Sequence, residues 1–175
     1  KNIVYMISVV CDERSRNQGY DYSIKSWKHY ADKYDCELFI LDQLVTDESY
    51  MTPHWTKMYI LDILEANEIE FDQVLYVDSD TIVTKEAPNI FDISENKFCA
   101  VANFGDMDWM LRSLENYSHE LFDGYKFPYF KYFNSGVMVF NKSHKEFFKS
   151  IQQFYSDNRS KIIWMQKHYG VGHDQ

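Results

Sequence analysis

The stretch that decides the fold is "QVLYVDSDTIV", Gln73 to Val83. Its first half is apolar, as is typical of a buried strand, and two carboxylates follow one residue apart, Asp78 and Asp80. Strand side chains alternate between faces, and an unpaired buried carboxylate is costly. If the strand ends at Val77, both carboxylates can instead converge on one divalent cation. The alternative is a polar strand end followed by an Asx-type turn.

Strand-like and helix-like patterns alternate along the chain without a linker or an internal repeat. This alternation predicts an α/β single domain with a mainly parallel central sheet flanked by helices. Ligands of such sheets bind beyond the carboxyl ends of the strands, where Asp78 and Asp80 fall. The expected strands are 2–10, 36–41, 73–77, 98–102 and 132–140, and the expected helices are 20–34, 55–66, 108–122 and one that starts at a capping box of Ser143 and Glu146.

Composition and charge narrow the class of protein. The 175 residues are 45% hydrophobic and 18% aromatic, enough for one domain with a sizeable core. The formal net charge of -9 argues against a nucleic-acid groove, since phosphate neutralisation needs clustered Lys and Arg. No apolar run is long enough to span a membrane, so we expect a soluble domain. Two locations are compatible with this expectation. The domain would be cytoplasmic, or it would lie in the Golgi lumen if an N-terminal anchor was trimmed from the sequence.

The three cysteines have neither zinc-site spacing nor the pattern of a disulfide framework. We therefore expect Cys11, Cys36 and Cys99 to be small buried hydrophobes.

Further segments carry polar residues within apolar surroundings: "WTKMYIL" (55–61), "YFNSGVMVFNK" (132–142) and "GVGHDQ" (170–175). With "VLYVDSDTIV", they resemble in order and distance the motifs of GT-A glycosyltransferases, which use nucleotide sugars. The likeness is to the glycogenin and bacterial galactosyltransferase group (family 8), and in part to family 34. It implies a GT-A (Rossmann-like) catalytic domain over residues 1–175, truncated at the C-terminus, with room for further domains beyond Gln175.

The resemblance also implies an activity. We expect metal-dependent transfer of a sugar from a UDP-sugar to a glycan or glycoprotein acceptor, with retention of configuration. Asp78 and Asp80 would bind Mn²⁺ or Mg²⁺, which bridges the phosphates as a Lewis acid, with Asp80 the firmer ligand and Ser79 between them. His173 is the candidate third ligand, although a His near a chain end is often simply solvated.

Other roles follow from the matched motifs. Asn134 would bind hydroxyls of the donor sugar, and Gly136 would let backbone approach the site; the alternative is a strand bulge. Asp174 and Gln175 would lie beneath the transferred sugar and stabilise its oxocarbenium-like centre. Lys57 would point at the phosphates or at Asp78, or else extend to solvent.

Two loops complete the expected site. After the first strand, Asp12 would read the base while Arg14 or Arg16 contacts the pyrophosphate, although an ordinary polar loop would look the same. Gly19 is expected to be a flexible point there. In "NFGDMDW", Asp108 is the expected cap of the following helix, and Asp106 is a candidate for the sugar or acceptor pocket.

Two other functions remain compatible with the carboxylate pair. A Mg²⁺-dependent phosphatase of the haloacid-dehalogenase type also has D-x-D after an apolar strand. Here, however, Ile82 stands where Thr or Val is usual, and the pair lies far from the start of the chain. A catalytically silent nucleotide-sugar-binding module on the same fold is the third possibility.

Overall fold

Five strands form one sheet in this computed structural model, which describes residues 1–9, 18–47, 50–103 and 105–172. Their order across the sheet is β2-β1-β3-β5-β4. β1 pairs in parallel with β2 and β3, whereas β5 runs antiparallel to both β3 and β4. Four of these five strands therefore run in one direction, and the expected α/β class is confirmed. The strands are β1 (Ile3–Ile7), β2 (Glu37–Leu41), β3 (Val74–Asp78), β4 (Cys99–Ala102) and β5 (Phe133–Phe140).

Helices cover both faces of the sheet, and some of them differ from expectation. The short α3 was not expected, and the last helix, α5, begins two residues after its expected cap and ends at Tyr169. The helices are α1 (Gln18–Lys33), α2 (Ile60–Ala66), α3 (Ile90–Ser94), α4 (Met107–Leu121) and α5 (Lys145–Tyr169), with 3₁₀ turns at Pro53–Tyr59, Tyr129–Lys131 and Lys142–His144. Among the described residues, no helix combines the length and apolar character needed to cross a membrane.

The core lies on both faces of the sheet. Alternate residues of β1 enter different clusters: Ile3 and Tyr5 pack beneath α2 and α5, and Val4 and Met6 beneath α1 and α3. A strand buried on both faces needs a continuous apolar run, which explains why β1 reads "IVYMI". The strand is shorter than the expected 2–10.

The expected helix at 55–66 is two pieces, a 3₁₀ segment at Pro53–Tyr59 followed by α2. They meet at Tyr59, whose φ of -103° and ψ of 5° leave the α-helical region. Apolar residues that recur every three or four positions suit either winding, so the sequence pattern does not separate them. The 3₁₀ segment buries four consecutive residues, from Trp55 to Met58.

The expected capping box of Ser143 and Glu146 is wrong. Asn141 is the cap instead, and its side chain accepts the backbone N–H of Ser143 at 2.9 Å. His144 completes the box, since its Nδ1 accepts the backbone N–H of Asn141 at 3.1 Å. The box falls two residues earlier than expected because a 3₁₀ turn precedes α5.

The cysteine prediction is met in part. Cys36 and Cys99 are free thiols, but they are half-buried at the edge of the core and not fully buried. Burial raises the pKa of the Cys36 thiol to about 11, so this side chain is protonated at neutral pH. Cys11 lies outside the described residues.

Candidate functional site

One edge of the sheet gathers the carboxyl ends of β1, β2, β3 and β4 and the start of β5, because β5 runs in the opposite direction. Asp78 is the last residue of β3 and lies opposite Ile7 of β1. Ser79 and Asp80 follow in a turn that leaves the sheet. The Asp78 side chain is 39% exposed, and Asp80 is exposed. Both carboxylates thus lie at the edge where α/β sheets bind ligands.

The turn after β3 is closed by Thr81, and the carboxylates take no part in closing it. The carbonyl of Asp78 accepts the Thr81 backbone N–H at 3.2 Å and the Thr81 hydroxyl at 2.6 Å. The buried indole of Trp27 on α1 donates to the same hydroxyl at 3.0 Å. The Asx-type turn considered above is therefore not observed. The turn is attached to α1 before any ligand binds.

The Asp78 carboxylate is held by two donors at one of its oxygens. The Tyr76 hydroxyl donates to Asp78 Oδ1 at 2.5 Å, and Lys57 Nζ lies 3.4 Å from the same atom. Tyr76 precedes Asp78 by two residues on β3, so the two side chains share one face of the strand. A single oxygen of Asp78 thus takes both protein contacts.

Lys57 is buried, with 3% of its side chain exposed. Its ammonium also donates to Ser135, at 3.2 Å to the hydroxyl and 3.4 Å to the carbonyl, and lies 5.0 Å from the centre of the Tyr76 ring. A buried charge is tolerated when it is paired and hydrogen-bonded, and Asp78 supplies the opposite charge here. The alternative that Lys57 extends to solvent is therefore not observed.

Gly136 lies directly against the Asp78 carboxylate. A methyl group at this position would overlap Asp78 Oδ2 and lie 2.8 Å from Asn134 Oδ1. Any residue larger than glycine would therefore displace the carboxylate. The expectation that Gly136 permits a close backbone approach agrees with this geometry.

The expected strand bulge is also present. Ala100 and Val101 of β4 pair with Met138 and Asn134 of β5, so residues 135–137 have no partner on β4. Asn134 is exposed, and its side-chain oxygen accepts the Gly136 backbone N–H at 2.7 Å. Asn134 and Gly136 lie at the start of β5, on the edge that carries the carboxylates, so the bulge does not exclude the expected role of Asn134 in binding the donor sugar.

The helix cap in "NFGDMDW" is Asp106, not Asp108 as expected. Its carboxylate accepts the backbone N–H of Trp109 at 3.0 Å, and Asp108 lies in the first turn of α4. The expected cap was two residues too late because both aspartates precede an apolar helical pattern. The Trp109 ring in turn packs against Gly172.

The end of the described chain is fixed against α4. The Gly172 backbone N–H donates to Ser113 at 3.2 Å, and its carbonyl accepts the Tyr117 hydroxyl at 2.8 Å. The expected site residues that follow, His173, Asp174 and Gln175, lie outside the described residues, as do Asp12, Arg14 and Arg16. Gly19 lies within α1 and not in a loop.

The donor set suits a hard divalent cation. Within the described ranges, no hydrogen bond reaches Asp78 Oδ2 or the Asp80 carboxylate, so both offer oxygen atoms of the kind that Mn²⁺ and Mg²⁺ prefer. No group of three His, Cys, Asp or Glu side chains that could hold a metal occurs in this part of the chain. Mg²⁺ is commonly bound by one or two carboxylates together with substrate phosphates, and two carboxylates are available here.

Sequence reasoning missed several contributors to this site. The side chain of Asp78 is positioned by Tyr76 directly and by Ser135 through Lys57, and the turn after Asp78 is fixed by Thr81 and Trp27. In the sequence, each of these four looks like an ordinary core or turn residue. Only Tyr76 carried a usable signal, since a residue two positions before a strand carboxylate shares its face.

The sheet order and the two carboxylates at its carboxyl edge define an α/β domain with a candidate ligand site at that edge. The model of "Glycosyl transferase family 8" matches residues 6–167. This chain therefore belongs to glycosyl transferase family 8, and the expected family is confirmed. No curated protein sequence matches the chain significantly.

Two solved structures are similar to the chain. The first is a glycosyltransferase involved in the glycosylation of the major capsid of PBCV-1, with a TM-score of 0.55 and 13% identity. The match covers 87% of this chain and 66% of that one, and it supports the α/β fold described above. The second is the glycosyltransferase GlyE of Streptococcus pneumoniae TIGR4, with a TM-score of 0.44, 19% identity, and coverage of 98% of this chain and 40% of that one. The chain thus spans less than two thirds of the length of either structure.

Proposed function

We propose that this chain is the catalytic domain of a metal-dependent glycosyltransferase that moves a sugar from a UDP-sugar to a glycan or protein-linked acceptor, with retention of configuration. The observation that carries the proposal is that two carboxylates follow one another at the end of β3 and only the first is bound by protein donors in the part of the chain that is described. Asp78 is held by Lys57 and Tyr76, while Asp80 makes no contact of this kind within the described ranges. Membership of glycosyl transferase family 8 supports the same class of reaction.

In this proposal, Asp78 and Asp80 hold Mn²⁺ or Mg²⁺, with His173 as the third protein ligand. When bound, the ion supplies Lewis-acid stabilisation of the charge that grows on the departing diphosphate. Asp80 is the firmer ligand because both of its oxygens are available. Asp78 offers Oδ2 to the ion or to the ribose, since Oδ1 is occupied by protein donors.

The remaining residues bind the donor. Lys57 contributes positive charge beside the phosphates, and Asn134 offers its amide nitrogen to sugar hydroxyls while its oxygen is bound to Gly136. Asp12 reads the base and Arg14 contacts the pyrophosphate. The proposed role of Asp174 and Gln175, which the resemblance alone supports, is to stabilise an oxocarbenium-like centre through their carboxylate and amide oxygens, from the face of the sugar opposite the leaving group. The acceptor oxygen bonds to the anomeric carbon on the same face from which the diphosphate departs, which gives retention, and the departing phosphate takes the acceptor proton.

The test is release of UDP from a panel of UDP-sugars in the presence of Mn²⁺. We expect release by the wild type and a loss of about 100-fold or more in Asp80→Ala, because metal-ion charge stabilisation is worth several kcal/mol and about 1.4 kcal/mol corresponds to tenfold in rate. The matched control is Asp32→Ala. Asp32 is an exposed aspartate on α1 that pairs with Lys28 at 3.8 Å, and its loss should leave release unchanged.

Three outcomes would count against the proposal. Full activity in Asp80→Ala would remove the proposed metal ligand. Binding of UDP-sugars without any turnover would favour the silent binding module. Hydrolysis of p-nitrophenyl phosphate with Mg²⁺, and none of UDP-sugars, would favour the phosphatase.

A further inference from the structure

Tyr76 is a core residue whose hydroxyl reaches the candidate site. Its side chain is 3% exposed, and its ring belongs to the core cluster beneath α2 and α5. Its hydroxyl nevertheless donates to Asp78 Oδ1 at 2.5 Å. A hydrogen bond to a charged acceptor is stronger than one between neutral groups, so this contact restrains the carboxylate more than packing alone would.

The two oxygens of Asp78 have different surroundings: Oδ1 is bound by protein donors, and Oδ2 is not bound by a donor of the described residues. Oδ1 takes the Tyr76 hydroxyl and the Lys57 ammonium, at 2.5 and 3.4 Å. Oδ2 lies over the backbone at Gly136, where even a methyl group would overlap it. The carboxylate is therefore fixed in rotation from both sides, and Oδ2 is the oxygen left for a ligand.

We propose that Tyr76 is a positioning residue for the metal site: its hydroxyl orients Asp78 so that one defined oxygen faces the divalent ion. This inference rests on the proposed function, because only there is Asp78 a metal ligand. Tyr76 itself touches neither metal nor substrate. Without its hydroxyl, the remaining donor to Oδ1 is the more distant Lys57, and the carboxylate can rotate away from its productive orientation.

The sheet provides a matched control in Tyr5. Tyr5 lies directly opposite Tyr76 in the parallel pairing of β1 and β3, is buried like it, and belongs to the same core cluster. Its hydroxyl is buried and has no hydrogen-bond partner among the described residues, and burial raises its pKa. Tyr5→Phe and Tyr76→Phe thus remove the same atom from neighbouring positions of one core, but only the second removes a contact to Asp78.

The experiment is calorimetric titration of Mn²⁺ into the wild type, Tyr76→Phe and Tyr5→Phe at saturating UDP, with the melting temperature of each protein measured in EDTA. We expect Tyr76→Phe to bind Mn²⁺ about 10- to 100-fold more weakly, the usual cost of losing a partner of a metal ligand. Tyr5→Phe should bind like the wild type. In EDTA we expect Tyr76→Phe to melt somewhat lower than Tyr5→Phe, because only Tyr76→Phe loses a hydrogen bond to a charged group. The titrations are therefore made at a temperature at which both variants are folded.

The outcomes separate this inference from the proposed function. Wild-type affinity for Mn²⁺ in Tyr76→Phe overturns the inference alone, and so does an equal loss in both variants, which would reflect general loosening of the sheet. A lower melting temperature of Tyr76→Phe with unchanged Mn²⁺ affinity also overturns it, since the hydroxyl would then be purely structural. A wild type that binds no Mn²⁺ with UDP overturns the proposed function together with this inference.

Discussion

At the scale of single residues, the most demanding position is Gly136. The backbone there approaches the Asp78 carboxylate so closely that a side chain has no room, since its first carbon would overlap Asp78 Oδ2 and lie 3.1 Å from Asp78 Cγ. The contact joins β5 to β3 at the ligand-binding edge. Glycine is required here for close approach and not for an unusual backbone angle, because Gly136 has no positive φ.

We predict that Gly136→Ala impairs the site more than the fold. The added methyl pushes the Asp78 carboxylate aside, and a displacement of about 1 Å in an active site can cost on the order of 100-fold in rate. Overpacking typically costs about 1 to 3 kcal/mol of stability. UDP release and urea unfolding, measured on the same preparation, would check both expectations.

The control for this change is Gly105→Ala. Among the described residues, a methyl group at Gly105 would meet only Asn103 Oδ1, at an ordinary contact distance of 3.7 Å. We expect activity and stability close to the wild type in this variant. Wild-type activity in Gly136→Ala would mean that the Asp78 carboxylate can move without consequence.

The sequence identified some residues at this scale and not others. Asp78, Asp80 and Gly136 stood out because a carboxylate or a glycine beside a buried strand is unusual for folding alone. Lys57 stood out as a charge on an apolar helix. The direction in which its side chain points depends on whether residues 53–59 form an α-helix or a 3₁₀ helix, and the sequence pattern suits both. Tyr76 was missed because a tyrosine in a buried strand usually belongs to the core. Its position two residues before Asp78 placed it on the same face of the strand, but the contact of its hydroxyl was visible only in the structure.

At the scale of elements, the start of α4 illustrates how a cap is chosen. Asp106 and Asp108 both precede an apolar helical pattern, and either could satisfy a free backbone N–H. Asp106 does so, with a backbone φ of -124° and ψ of 98° that lies outside the helix, as a capping residue requires. Asp108 is already helical and lies in the first turn of α4, where a carboxylate interacts favourably with the helix dipole.

We predict that Asp106→Ala lowers the free energy of unfolding by about 1 kcal/mol, within the usual range for loss of a capping aspartate. Asp108→Ala should have almost no effect, because the lost dipole interaction is screened at about 0.15 M salt and alanine has the higher helix propensity. Urea unfolding of both variants at that ionic strength would measure the difference. A larger loss in Asp108→Ala would contradict the observed cap.

Element type was more predictable than element boundary. The apolar runs of β1, β3 and β5 predicted strands because both faces of each are covered, and the helical spacing in α1 and α4 predicted helices. The boundaries of β1 and the winding before α2 depend on tertiary contacts that local pattern does not encode. The β5 bulge was considered from "FNSG" alone, since an Asn and a Gly interrupt an apolar run.

At the scale of the whole molecule, the direction of β5 shapes the site. Because it runs against its neighbours, its first residues, and not its last, reach the edge where β1, β3 and β4 end. The sequence could not predict this, since "YFNSGVMVF" is as apolar as a parallel strand and the pairing joins residues far apart in the chain. The resemblance of the motifs supplied what the local pattern could not, namely that "FNSG" and the carboxylates belong together.

If the proposed function is correct, the net charge of the chain favours joint binding of the metal and the nucleotide. The chain carries a formal net charge of -9, which disfavours an anionic diphosphate unless a cation accompanies it. Lys57 already neutralises much of the charge of Asp78 at 3.4 Å, so the free site attracts a divalent ion less than two unpaired carboxylates would. Each ligand therefore supplies charge that the other needs, and their binding should be coupled in both directions.

We predict that UDP and Mn²⁺ together raise the melting temperature more than the sum of their separate effects. At concentrations near 100 times the dissociation constant, the stabilisation is about 2.7 kcal/mol, or roughly 5 to 10 °C for a domain of this size. EDTA should abolish the shift given by UDP, and Asp80→Ala should abolish it while Asp32→Ala keeps it. An equal shift with UDP in EDTA would mean that the nucleotide binds without the ion, and the coupling between the carboxylate pair and the diphosphate would then be absent.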